Sequence, residues 1–126
     1  MKSHFWIGWF ESLEIQEEYF KETYTEDDDA PISKFALDQH VSFYDHEFLE
    51  IGFKTITASI RELFEGHSYS EYWLEELENR TKGLSLQDVN TIVFINSEEI
   101  EDPRSCFGNK YRLKYLGEIE YDVSHD

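Results

Sequence analysis

The chain has little of what several classes of protein require. Its single cysteine, Cys106, excludes an intramolecular disulfide framework and an all-cysteine metal site. Two prolines and six glycines are too few for a loop-rich or fibrous chain. Neither Gly-x-Gly-x-x-Gly nor Gly-Lys-Ser/Thr occurs, so nucleotide chemistry is not expected. The apolar run Phe5–Phe10 is too short for a signal-peptide core or a membrane span, and we expect a cytoplasmic protein that does not bind membranes.

Positive charge is also scarce. The chain carries 11 basic against 28 acidic residues, a formal net charge of −17 over 126 residues. Such a surface repels the phosphates of nucleic acid and attracts a basic protein partner. The excess is densest between Glu11 and Asp29, where nine acidic residues accompany one lysine, Lys21.

Hydrophobic residues, in contrast, are abundant. They make up 40% of the chain and aromatic residues alone make up 17%. This content is enough to offset the conformational entropy lost on folding, which a disordered acidic tail cannot do. We expect one folded domain over residues 1–126.

Three segments are predicted as strands because they are rich in aromatic and β-branched residues. His4–Glu11 is too hydrophobic for the exposed edge of a sheet. Thr91–Ile95 is a continuous β-branched run, typical of a strand buried on both faces and placed centrally. Phe48–Phe53 is the third strand.

Hydrophobic periodicity predicts helices between these strands. The predicted helices are Leu13–Tyr24, a short helix after Ser33, Ile56–Phe64 and Ser70–Arg80. Ser12, Ser33 and Ser70 are expected to cap helices with their hydroxyl groups. Gly66 and Gly83 are expected to end the last two.

The C-terminal segment alternates strictly between apolar and charged residues from Tyr111 to Val123. A hairpin with the loop Tyr115–Gly117 and a single strand bent at Gly117 both fit this alternation. The hairpin is the preferred interpretation. The whole pattern predicts an α+β fold, with a mostly antiparallel sheet of about four or five strands and helices packed against it.

Two groups of residues could carry enzyme chemistry. His40, Asp45 and His46, with Asp38 and Glu47 nearby, include the imidazole and carboxylate ligands of zinc or iron sites, but no recognised spacing. A small metal-dependent enzyme is therefore an alternative to helix capping and surface hydrogen bonding by the same residues. Cys106 could act as a nucleophile if Arg104 lowered its pKa, although lone cysteines are mostly small buried hydrophobes. We predict no enzyme, no cofactor and no metal.

The remaining candidates are acidic residues and the aromatic residues that border them. We predict that they bind a basic protein, with charge steering the encounter and aromatic rings anchoring it. The candidate contact residues are Glu26, Asp27, Asp28, Asp29, Asp45, Glu47, Glu71, Tyr72 and Glu75. The bordering aromatic residues are Tyr24, Tyr44, Tyr69, Tyr72 and Trp73. The alternative is that the rings are core residues and the acids a solvated face.

Four stretches of the chain resemble the immunity protein 22 family. They are Ser3–Gly8, Phe43–Phe48, Ser70–Trp73 and Lys114–Gly117. The resemblance implies an α+β antidote, encoded in a bacterial polymorphic toxin locus, that protects the cell from a toxin domain, often a nuclease. The expected partner is then a cognate toxin domain of basic character. An acidic adaptor for a non-toxin partner would have the same sequence features.

Overall fold

A computed structural model of the chain describes residues 1–22, 33–41, 44, 48–54, 60–67, 69–84 and 88–121. The strands are β1 (Lys2–Phe10), β2 (Leu49–Phe53), β3 (Thr91–Asn96), β4 (Cys106–Phe107) and β5 (Tyr111–Glu120). The helices are α1 (Leu13–Phe20), α2 (Lys34–Asp38), α3 (Ile60–Phe64) and α4 (Ser70–Thr81). A 3₁₀ turn follows β3 at Ser97–Glu99. None of the described helices is long and apolar enough to cross a membrane.

The five strands form one open antiparallel sheet in the order β2-β3-β1-β5-β4. Strand β1 lies in the centre, so the prediction that it is not an edge strand is confirmed. Strand β3, for which a central position was predicted, is buried and interior and lies beside the centre, between β2 and β1. The strand ending at Phe53 is also confirmed. The observed architecture is the α+β class that the sequence predicted.

Helices cover both faces of the sheet, so two clusters of core residues form. On the first face, Phe5 and Phe94 stack at 5.3 Å beneath Trp73 of α4. We call this the α3/α4 face. On the second, the α1/α2 face, Trp6 of β1 meets Phe35 of α2 edge to face at 5.3 Å. Successive residues of β1 therefore bury their side chains on opposite sides, as the pleat of a strand requires.

Two of the three predicted serine caps are confirmed. The Oγ atoms of Ser12 and Ser33 accept hydrogen bonds from the backbone N–H groups of Ile15 and Ala36, at 3.2 and 3.1 Å. The short α2 places Phe35 against the core, as predicted. The described helix α1 ends at Phe20, earlier than predicted.

The cap predicted at Ser70 was wrong. Ser70 is the first residue of α4, and the cap position is taken by Tyr69 in a left-handed conformation with φ 61°. The N–H of Ser70 instead donates to the carbonyl of His67, because a tight turn carries the chain from α3 directly into α4. Gly66 and Gly83 follow α3 and α4 with φ of +89° and +85°, as expected of helix ends.

The C-terminal hairpin was also wrong, and the bent single strand is what forms. Strand β5 pairs with β1 along its length, with Trp6 opposite Tyr115 and Phe5 opposite Gly117. Leu116 is the extra residue of a β-bulge, and Gly117 supplies the positive φ of +105°. A hairpin would have left the apolar strand β1 without this partner, so pairing with β1 prevails.

The bulge moves the apolar side chains of β5 from one face of the sheet to the other. Tyr111, Leu113 and Tyr115 pack in the α1/α2 cluster, whereas Ile119 and Tyr121 pack in the α3/α4 cluster. All five residues share one parity in the sequence. The uninterrupted alternation therefore conceals a change of face.

A candidate partner-binding surface

Most of the predicted contact residues lie outside the part of the chain that the structure describes. These residues are Glu26, Asp27, Asp28, Asp29, Asp45 and Glu47. Their role stays a prediction. The three that can be placed, Glu71, Tyr72 and Glu75, share helix α4.

Helix α4 separates its apolar and acidic residues because buried positions recur every three or four residues. Trp73, Leu74 and Leu77 pack into the core of the α3/α4 face. The rest of the helix carries four glutamates and one arginine. The result is a helix fixed by its apolar side that presents acidic side chains to solvent.

Glu71 and Glu75 lie one turn apart on this outer side, and both are exposed. No ion pair joins either of them to another described residue, whereas the neighbouring Glu76 pairs with Arg80 at 2.9 Å. Glu78 likewise pairs with Arg61 of α3 at 2.6 Å. We call Glu71 and Glu75 the α4 acidic pair, since their charge is available to a partner.

The aromatic residues predicted to border the acids divide into core and surface. Trp73 is buried on the α3/α4 face and Tyr44 on the α1/α2 face, so the core interpretation is right for both. Tyr72 is half-buried and packs against the α3/α4 core. Tyr69 is 46% exposed at the start of α4, two residues before Glu71. Tyr69 is therefore the ring best placed to anchor a partner, and its left-handed cap conformation could not be read from the sequence.

The residues proposed for a metal site are only partly described. Asp38 accepts hydrogen bonds from the hydroxyl groups of Tyr19 and Tyr111, both on Oδ2 at 2.7 Å. This oxygen therefore holds α1, α2 and β5 together. His40 lies exposed just after α2, while Asp45 and His46 fall outside the described residues. Within the described part of the chain, no three His, Cys, Asp or Glu side chains converge to hold a metal ion.

Cys106 does not have the environment of a reactive thiol. Burial raises the pKa of its thiol to about 11, and the hydrogen bond between the thiol and Tyr19 offsets only part of this increase. The Sγ atom lies 3.4 Å from the Tyr19 hydroxyl. The lowering by Arg104 that a reactive thiol would need does not occur, because that guanidinium pairs with Asp102 at 2.7 Å. The thiol stays protonated and acts as a structural group.

A groove of about 680 Å³ opens on the α3/α4 face, where β1 ends and β5 begins. Its lining includes Ile7, Trp9, Val89, Phe107, Arg112 and Lys114. The Phe107 ring is 80% exposed at its rim. The guanidinium of Arg112 lies over the Trp9 ring, 5.2 Å from its centroid. Sequence reasoning missed this groove because its walls come from four separate segments of the chain.

The sequence model of the family described as Immunity protein 22 matches residues 4–122. No curated protein and no solved structure matches the chain. The matched range contains all the described strands and helices apart from the first two residues of β1.

Proposed function

The chain belongs to the immunity protein 22 family, and we propose that it neutralises a basic, nuclease-type toxin domain of a bacterial polymorphic toxin system through its acidic surface. An immunity role, with a toxin protein as the partner, follows from the family itself. The nature of the toxin and the surface that binds it are the proposed part.

The charge of the chain is the observation that carries this proposal. A nuclease domain holds phosphates with basic side chains, and a protein of net charge −17 can occupy the same basic surface. Complementary charge also speeds association, which benefits an antidote that must act before the toxin cuts. Glu71 and Glu75 supply the described part of this surface, on a helix that the core holds in place.

Reversing the α4 acidic pair tests the surface directly. We expect the double variant Glu71→Lys/Glu75→Lys to bind the cognate toxin domain more weakly. Each exposed charge contact contributes about 0.5–1 kcal/mol, and reversal replaces attraction with repulsion. The expected loss is about 2–3 kcal/mol, which corresponds to roughly 30- to 150-fold in affinity.

A matched control separates local from overall charge. Glu98 and Glu101 are exposed and lie elsewhere, after β3. The variant Glu98→Lys/Glu101→Lys has the same net charge as the α4 variant. In each, two Glu→Lys changes of two units each raise the net charge from −17 to −13. The affinity of each variant for the toxin domain is measured by calorimetry at low and at high salt. The affinity should fall mainly for the α4 variant, and the affinity of that variant should also depend less on salt. Equal effects of the two variants, or none, would exclude α4 as the contact surface.

Co-expression in bacteria tests the function itself. The intact chain should restore survival of cells that express the toxin domain encoded beside it and should copurify with that domain. Survival without any complex, or a complex that leaves the toxin active, would contradict neutralisation by binding. Complex formation with a protein that is not a toxin would favour the adaptor alternative.

A further inference from the structure

The groove beside Trp9 has the opposite charge character to the protein that contains it. Among the described residues of its lining, two side chains are basic, Arg112 and Lys114, and one is acidic, Asp88. The whole chain, in contrast, carries 28 acidic and 11 basic residues. A basic partner is repelled from this site, whereas an acidic ligand is attracted to it.

The two cations of the groove are available to a ligand. Arg112 approaches Asp88 only to 3.9 Å, and both side chains are largely exposed. An exposed pair of this kind contributes little, so an incoming carboxylate can replace Asp88. Lys114 makes no ion pair with another described residue and projects from β5 on the same face as Arg112.

Apolar surface adjoins these cations. Phe107 extends from the edge strand β4, and its ring is the most exposed large hydrophobic side chain among the described residues. Ile7 and Trp9 form the neighbouring part of the sheet. An exposed aromatic ring next to a half-buried one, with positive charge alongside, is the composition of an interaction site.

The shape of the sheet favours an extended ligand. Strand β4 has two residues and pairs only with Leu113 and Arg112 of the much longer β5. The outer side of β4, which forms this edge of the sheet, pairs with no described strand. A peptide can therefore pair with β4 and place a side chain in the groove, as in recognition by strand addition.

We propose that the groove binds an extended acidic segment of a protein partner, with an aromatic or aliphatic side chain against the Phe107 ring and carboxylates on Lys114 and on Arg112, which lies over Trp9. This surface selects for the opposite charge from the α4 acidic pair. The proposal does not depend on the toxin, because it concerns other residues than the α4 acidic pair and a ligand of the opposite charge.

The tryptophans provide a local probe. Trp6 and Trp73 are fully buried, whereas Trp9 is half-buried in the groove, so acrylamide quenching of native fluorescence reports mainly on Trp9. The first ligand is a capped synthetic peptide with phenylalanine between pairs of glutamates. We expect saturable protection of Trp9 from quenching by this peptide. The same peptide with lysines in place of glutamates should give none.

Charge variants test which cations are used. Arg112→Glu/Lys114→Glu should weaken peptide binding by at least about tenfold, the effect of replacing attraction with repulsion at two positions. Lys2→Glu/Lys110→Glu is the matched control, since both lysines are exposed and neither lines the groove. Phe107→Ser should also weaken binding and, because the ring is exposed, should fold normally.

Several results would overturn the proposal. They are absence of saturable protection, equal protection by the lysine peptide, and unchanged binding by both groove variants. Equal binding of N-acetylphenylalanine would show a small-carboxylate site rather than a peptide groove. Circular dichroism of each variant ensures that a loss of binding is not a loss of folding.

Discussion

Two single-residue deletions from β5, of Leu116 and of Lys114, test the bulge. The bulge predicts that the first deletion is tolerated and that the second is more harmful. Trp6 lies opposite Tyr115 and Phe5 opposite Gly117, with Leu116 as the extra residue. Deleting Leu116 joins Tyr115 directly to Gly117 and leaves every other pair in register. We therefore expect this shortened protein to fold, although the deleted residue is partly buried.

Deleting the exposed Lys114 is expected to be more harmful. If the residues at both ends of the shortened β5 keep their partners in β1, the strand no longer has an extra residue and the bulge disappears. Tyr115 then takes the position of Lys114. Tyr115 then leaves the α1/α2 face, where its hydroxyl bonds Nδ1 of His4 at 2.7 Å and its ring lies 5.3 Å from Trp6. The buried His4 nitrogen loses its partner.

The magnitudes differ enough to measure. Loss of the half-buried Leu116 side chain removes about 1 kcal/mol of hydrophobic stabilisation. An unpaired buried polar atom and a lost aromatic contact together cost about 2–4 kcal/mol in the Lys114 deletion. The difference of about 2 kcal/mol corresponds to roughly 6–10 °C in Tm for a domain of this size.

Thermal and urea unfolding of the two deletions, beside Lys114→Ala, measure this difference. The alanine variant keeps the length of β5 and should unfold within about 0.5 kcal/mol of the parent, as exposed substitutions do. A Lys114 deletion as stable as the Leu116 deletion would refute the bulge. So would a Leu116 deletion that fails to fold.

Two further predictions concern buried titratable groups. Burial lowers the pKa of His4 below its ordinary value of 6.5, so its neutral form stabilises the fold fully above that pH and less as the pH falls. The unfolding free energy should therefore fall more steeply from pH 7 to 5 in the parent than in His4→Gln, and equal slopes would contradict a buried neutral imidazole. The pKa of the Cys106 thiol is raised to about 11 in the folded protein. At pH 7.5 this thiol should therefore react with Ellman's reagent about two orders of magnitude more slowly in the folded protein than in the unfolded protein. Equal rates in buffer and in denaturant would show that the thiol is not protected.

The sequence predicted the elements whose signals are local. The β-branched and aromatic runs of β1 and β3 leave few alternatives to interior strands, and the Ser12 and Ser33 hydroxyl groups can cap only the helices that follow them. Tyr69 was predicted as a bordering aromatic residue, but its position at the cap of α4 was missed, because a left-handed tyrosine has no sequence signal of its own.

The features that the sequence could not predict depend on pairing between distant segments. Alternation along β5 reveals the period of two but not which partner strand imposes a bulge at Leu116. The groove at Trp9 arises only when β1, β4 and β5 lie side by side. Glu71 and Glu75 could be chosen as surface residues from helical periodicity, whereas the finding that neither forms an ion pair with a described residue required the structure.

The central position of β1 has a consequence for the synthesis of this protein. Its neighbours in the sheet, β3 and β5, begin at Thr91 and Tyr111, far along the chain from β1. Until they have been synthesised, β1 lacks both partners. The sheet cannot form around β1 before then, and the nascent chain carries an uncovered apolar segment that favours aggregation or chaperone binding.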